Sequence, residues 1–329
     1  MHYSRRRGSQ LADWLIETGI GEERALLVDR GEVLAARLRW PGELEAGEIA
    51  EGVLIARFSG TPRGRARFAS GEEALVDRLP REAAQGRTMR FEITRSAMGE
   101  AKRRKPAHAR PSDEPCRPAP TLLEQLGGRE LRRFPAGCWE EVWAEASEGI
   151  VAFRQGALQF SPTPAMTLVD VDGHLLPRDL ALEAVDPLAR AIARFGLSGS
   201  IGVDFPTLRE KGERKAVDGA LGVALADWDH ERTAINGFGF VQLVAKLEGP
   251  SLLHRLHFAR SGAAARMLMR RAEEVAEPGV LLLTAHPQVI ASILPDWLAE
   301  LTRRTGREVR LAPDPGLAPH AAFAQAVAR

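Results

Sequence analysis

Cysteine is all but missing from this chain. Cys116 and Cys138 are the only two in 329 residues, which excludes a disulfide framework and a CxxC metal pair. Long apolar runs are missing as well. Stretches such as GVLLLTA (279–285) are strand-sized, far below the ~20 residues of a membrane helix. The opening MHYSRRRGSQ is basic, but no apolar segment follows it, so no secretory signal is expected and these residues are set aside from fold reasoning. Lysine is scarce, occurring only at 102, 105, 211, 215 and 246, and arginine supplies the remaining positive charge. A cytoplasmic location and no membrane partner fit these absences. What is present is ordinary: 44% hydrophobic and 27% charged residues make a folded chain rather than a disordered one, and the length suggests about two domains.

The net charge of +1 conceals a segregation. Residues 48–110 carry 14 Lys+Arg against 8 Asp+Glu, so the remainder is mildly acidic. A basic module joined to an acidic one suggests that the basic part meets a polyanion. Residues 13–40 read as two or three strands, with RALLV and EVLAARLRW joined at the tight-turn sequence DRGE. From 48 to 100, short strands separated by Gly/Pro turns form the pattern of a small oligonucleotide-binding barrel. Residues 101–120, AKRRKPAHARPSDEPCRPAP, lack periodicity and read as a basic, Pro-rich linker. The rest alternates strands with helices, predicted at 179–195, 209–228, 261–276 and 287–304, which implies a mixed or parallel sheet covered by helices. TAINGF is a further strand candidate, and FVQLVAKL is ambiguous between helix and strand.

Two stretches carry the candidate chemistry. PTPAMTLVDVDGHLLP (162–177) and GSIGVDFPT (199–207) each run an apolar strand into acid. A buried charge costs several kcal/mol unless it is paired or bound to metal. Asp170 and Asp172 lie two apart, so on a strand they share a face. Asp204 ends the next strand, after one helix, and strand–helix–strand units usually form neighbouring parallel strands. That brings Asp170 and Asp204 side by side near the carboxyl ends, where open α/β sheets bind ligands. Magnesium accepts a site of this kind, taking few protein oxygens and keeping several waters. The plainer alternative is a turn at Asp172–Gly173 and a strand-end acid at Asp204. A calcium loop is rejected, because His174 stands where DVDG would need another acid or amide.

In their order, EGVLIARF, PTPAMTLVDVDG, LEAVDPLARAIARFGLSGSIGVDF, RKAVDGAL and INGFGFVQL…GPSL resemble the RNase E/G family of bacterial endoribonucleases, in a shortened form. The resemblance covers most of the chain. It implies an α/β fold with an RNase H-like catalytic domain and an OB/S1-like barrel inserted near the N-terminus. The expected units are N-terminal strands at 1–47, the barrel at 48–100, the linker at 101–120, the catalytic domain at 121–260 and an α/β subdomain at 261–329. Asp170 and Asp204 match the family's magnesium-holding aspartates, manganese being an alternative ion, and Asp172 falls where the family has an assisting asparagine. There are departures. GHLLP follows Asp172, Thr207 replaces a second acid, and only about forty residues separate the barrel from residue 150, too few for the family's 5′-monophosphate sensor. No cysteine pair stands where the family links subunits through zinc. His254 and His257 in HRLH occupy that place; a structural zinc is not expected there, and a homodimer would have to form without a cysteine link.

Single-stranded RNA calls for cationic grooves and aromatic platforms. The barrel offers Phe58, Phe68 and Phe91 among Arg57, Arg63, Arg65 and Arg67. Phe68 matches a family stacking position, a second platform being replaced near Leu75, while Phe58 and Phe91 read equally well as barrel core. Lys102, Arg103 and Arg104 are candidate phosphate contacts, as is Lys215, which matches a family basic position. The implied activity is magnesium-dependent endonucleolytic cleavage of single-stranded RNA, in RNA processing or decay, with water as nucleophile and little dependence on the 5′ end. Two alternatives stand beside it: an RNA-binding descendant with catalysis weakened or lost, and an enzyme acting on another phosphate ester.

Overall fold

The structure is a computed structural model and describes residues 12–99, 104–247 and 249–328. It opens on three antiparallel strands, β1 (Asp13–Gly19), β2 (Glu22–Asp29) and β3 (Glu32–Arg39). These are the strands expected around the DRGE turn, where Arg30 and Gly31 both take positive φ.

A closed five-stranded barrel follows. It is built from β4 (Ile49–Arg57), β5 (Gly64–Phe68), β6 (Glu73–Val76), β7 (Thr88–Arg95) and β10 (Ala107–Pro111) in the order β10-β6-β5-β4-β7. A small pair, β8 (Met98–Gly99) with β9 (Arg104–Lys105), lies between the last two of these. Alternation builds the barrel: in GRARF the small and apolar residues turn inward while Arg65 and Arg67 face out. The barrel does not end at residue 100. Ala107–Pro111, expected to be linker, is the closing strand, paired to both β6 and β7. Its inward side chains are the alanines Ala107 and Ala109, which carry little strand signal in sequence.

Next come α1 (Leu122–Leu126), started by a Thr121–Glu124 capping box, β11 (Arg129–Leu131), which joins β1 in parallel, and α2 (Cys138–Glu148). The second large sheet has six strands: β12 (Ile150–Phe153), β13 (Gly156–Pro162), β14 (Thr167–Gly173), β15 (Gly199–Asp204), β16 (Glu231–Arg232) and β17 (Phe240–Ala245). Their order is β12-β13-β14-β15-β17-β16. Helix α3 (Pro177–Phe195) makes the crossover from β14 to β15, and α4 (Lys211–Ala224) follows β15. FVQLVA is thus a strand, whereas TAINGF is mostly the loop leading to it.

One face of this sheet is covered. Val169, Val171, Ile201, Val203, Val241 and Leu243 are buried in one core with Leu180, Ala184, Val185 and Leu188 of α3. The other face is open to water, and apolar residues remain on it: Ile150 and Val244 are each 45% exposed and Leu168 is 40% exposed.

The chain closes with α5 (Leu252–Phe258), α6 (Arg260–Glu274), β18 (Val280–Ala285), α7 (Pro287–Ile290), α8 (Pro295–Thr305), β19 (Val309–Pro313) and β20 (Phe323–Val327). The single helix expected at 287–304 is two, because Pro295 starts a new one at its first position. No described helix is long and apolar enough to cross a membrane.

A buried ionic knot ties the first sheet to α6. The Glu17 carboxylate accepts from Arg24, from Arg270 Nε at 3.0 Å and from the Phe134 backbone N–H at 2.8 Å. Arg24 also donates to Glu22 at 2.6 Å, and Trp40 Nε1 donates to the same glutamate at 3.0 Å. Burial opposes the charged form of Glu17, but Arg24 and Arg270 outweigh it and hold its carboxyl below the ordinary value.

Candidate active site

The parallel pairing of β14 with β15 sets Asp170 directly beside Asp204, in the register Thr167↔Ile201, Leu168↔Gly202, Val169↔Val203, Asp170↔Asp204. Neighbouring strands lie about 4.8 Å apart, so the two carboxylates project from adjacent backbones on one face. That face is the open one, and both residues are exposed. Across the sheet the same row continues as Ile150, Gln159, Asp170, Asp204 and Phe240. Among the described residues neither Asp170 nor Asp204 has a hydrogen-bond or ion-pair partner. Two like charges in register with nothing to balance them are destabilising, which is the opposite of what core packing would select.

Asp172 shares the face, one pleat further along β14, and is exposed. Its Oδ1 accepts from the Gly173 backbone N–H at 2.8 Å, so one of its oxygens serves the turn that ends the strand. Thr207 is exposed in the loop after β15. Among the described residues no three His, Cys, Asp or Glu side chains gather into a cluster that could hold a metal ion. A hard cation completed by waters and phosphate oxygens needs fewer protein ligands than that, and a pair of uncompensated carboxylates on neighbouring strands has the right donor chemistry for it.

Packing explains the neighbourhood of the pair. A Cβ on Gly202 would stand 2.7 Å from the Phe240 ring and 3.0 Å from the Met166 sulfur. The missing side chain there lets those two residues lie across the open face, one pleat from Asp204.

The sequence-predicted RNA contacts divide. Arg65 and Arg67 are exposed on the outer face of β5 and share Glu73, at 3.4 and 2.7 Å. The hydrogen bond from Arg67 is the main cause that holds the Glu73 carboxyl below its ordinary value. Exposed pairs of this kind are weak and screened, and each guanidinium keeps donors free for a phosphate. Arg104 is half exposed and pairs with Glu43 at 2.8 Å. Lys215 is exposed on α4 with no partner among the described residues. Lys102 and Arg103 lie outside the described residues. The expectation for Phe68 is not met. The ring is only 5% exposed, packed edge-on against Phe91 in the barrel core with centroids 6.0 Å apart, so it offers no face to a base. The alternation that turns Arg65 and Arg67 outward turns Phe68 inward. Phe91 is core as well, whereas Phe58 is partly exposed. If the arginine face grips RNA, Arg65→Ala and Arg67→Ala should each weaken binding and flatten the dependence of log affinity on log salt by about 0.7. Fluorescence anisotropy over a salt series measures both effects.

His254 and His257 lie on α5, each ring nitrogen with a neighbour of its own. His254 Nδ1 meets the Ser251 hydroxyl at 2.8 Å, and His257 Nδ1 is 3.4 Å from an Arg260 guanidinium nitrogen. Burial, then the charges of His257 and Lys105, push His254 down from 6.5 to about 4. A depressed histidine is neutral in the fold but takes up a proton when unfolded. Stability is therefore complete above pH 6.5 and declines as the pH falls toward 4, by about 3 kcal/mol at most. Urea unfolding across that range should show the slope in the wild-type chain and a shallower one in His254→Gln.

No protein-family model matches this chain, and no curated protein matches it.

Proposed function

We propose that the protein is a cytoplasmic, magnesium-dependent endoribonuclease acting on single-stranded RNA, with an RNase H-like catalytic sheet and an OB/S1-like RNA-binding barrel. The observation that carries the reading is the Asp170–Asp204 register: two carboxylates, without partners among the described residues, in one row of an open sheet face. Supporting it are an antiparallel meander, β12-β13-β14, joined through a helix to a parallel fourth strand, and a barrel whose outer face displays Arg65 and Arg67.

In the proposed mechanism Asp170 and Asp204 would hold the ion, and their all-oxygen donor set would accept manganese as well as magnesium. Binding of the ion there would provide charge neutralisation at the phosphodiester and a lowered pKa for water. The chain's own groups do the rest. Asp172 orients from the same face through the oxygen left free by its turn. Arg65 and Arg67 bind backbone phosphates, and the open face leaves room for an extended strand. No 5′-end pocket enters this mechanism, so the substrate's 5′ end has little influence.

The test is incubation of a fluorescent single-stranded RNA with the protein in magnesium and in EDTA. Cleavage that requires the metal supports the reading. Binding without cleavage in either condition sinks it and leaves the non-catalytic RNA-binding alternative, which the burial of Phe68 does not by itself favour.

A further inference from the structure

The most solvent-exposed phenylalanine among the described residues lies two residues from the register partner of Asp204. Phe238 is 80% exposed, in the loop between β16 and β17. An isolated exposed apolar side chain needs no explanation; this one is held out by a built loop. Asn236 Oδ1 accepts from the backbone N–H groups of Phe238 at 2.9 Å and Phe240 at 3.1 Å. The Asn236 N–H donates to the Phe240 carbonyl at 3.0 Å, and the Gly239 N–H returns to the Asn236 carbonyl at 3.1 Å. The loop is therefore fixed at both ends before any ligand arrives.

It is also fixed to Asp204. The backbone N–H of Phe205, the next residue, donates to the Gly239 carbonyl at 3.3 Å. Gly239 has φ of +96°, and a Cβ there would stand 2.3 Å from the Phe205 carbonyl oxygen and 2.7 Å from that of Pro206. Only glycine allows this approach. Phe240, two residues beyond Phe238, is the register partner of Asp204. The result is a rigid loop, closed by an asparagine side chain, that holds an aromatic ring in water beside one of the two acids.

Given the endoribonuclease reading, on which this inference rests, we propose that Phe238 is a base-stacking platform of the catalytic sheet: a positioning residue that stacks a nucleobase flanking the scissile phosphate and so sets the phosphate against Asp170 and Asp204. Any base has a π-face, so the platform is tolerant of sequence. It supplies an aromatic contact that Phe68, buried in the barrel, does not.

The test pairs protein variants with modified RNA. The wild-type cleavage site on a short single-stranded RNA is mapped first, and analogues with an abasic nucleotide on either side of it are prepared. Binding is measured in EDTA and cleavage in magnesium. Phe238→Leu should lose about tenfold in RNA affinity and in kcat/KM, within the range for one stacked base, with an unchanged melting temperature, while Phe238→Trp should restore both. One abasic analogue should reproduce the loss with the wild-type protein and add little to it with Phe238→Leu. Equal behaviour of wild type and Phe238→Leu, or full additivity of the ring and base deletions at every position, overturns the platform. The two readings fail separately. If wild type binds without cutting, the nuclease reading falls; abasic nucleotides scanned along the same RNA then decide the platform from binding alone.

Discussion

Asp170→Asn and Asp204→Asn should each lower RNA cleavage by about 10²–10³-fold, the loss expected when a developing charge goes unstabilised, and the double variant should be little worse than either. Residues that act as a unit are non-additive in this way. The folded state should react in the opposite sense. The two acids are in register on adjacent strands with no partner among the described residues, so neutralising one removes a repulsion. Thermal unfolding should show each variant equally stable or more stable, by about 0.5 kcal/mol. Gain of stability with loss of activity is the signature of a functional acid pair. A strand-end acid with no function would produce neither effect on cleavage.

The second large effect lies in the ionic knot between the first sheet and α6. Glu17→Ala should destabilise the protein by about 3 kcal/mol, because Arg24 and Arg270, both buried, lose their shared partner and keep only Glu22 on one side and Glu140 and Glu274 on the other. That is a large part of a typical domain's stability, so the variant should unfold at much lower urea. Glu17→Gln keeps the shape and removes the charge, which exposes the pH dependence. The wild-type carboxyl is held below its ordinary value of 4.5, so its contribution is complete above about pH 4.5. It disappears as the pH falls through the lowered value. The gap between wild type and Glu17→Gln should therefore narrow on acidification below pH 4.5. A gap independent of pH would mean that the charge of Glu17 contributes nothing.

The acid pair was legible in the sequence because each step was local. TLVDVDG alternates, so its buried and exposed residues follow the period of two, and the helix at Pro177–Phe195 carries an apolar stripe that covers the same sheet. One crossover then makes the two strands neighbours. The misses have physical causes of other kinds. Ala107–Pro111 closes the barrel with two alanines, too little hydrophobicity to distinguish a strand from the linker around it. α2 begins at Cys138 under a glycine with no side-chain cap, so its start has no sequence signal of the usual kind. The family likeness puts Phe68 on the RNA face, whereas the strict inside–outside alternation of GRARF places it with Ala66 in the core. Phe238 was hidden because its exposure depends on the Asn236 turn and on contact with Phe205 and Pro206. Only the Gly-Phe-Gly pattern around it hinted at a loop rather than a strand.

Metal binding without RNA is the decisive measurement. Manganese is titrated into wild type, Asp170→Asn and Asp204→Asn, and the free ion is followed by electron paramagnetic resonance. One site is expected in the wild-type protein, weakened at least about tenfold in each variant. Identical binding by all three proteins, or no binding by any, would contradict the assignment of the two strand-end acids as a metal centre.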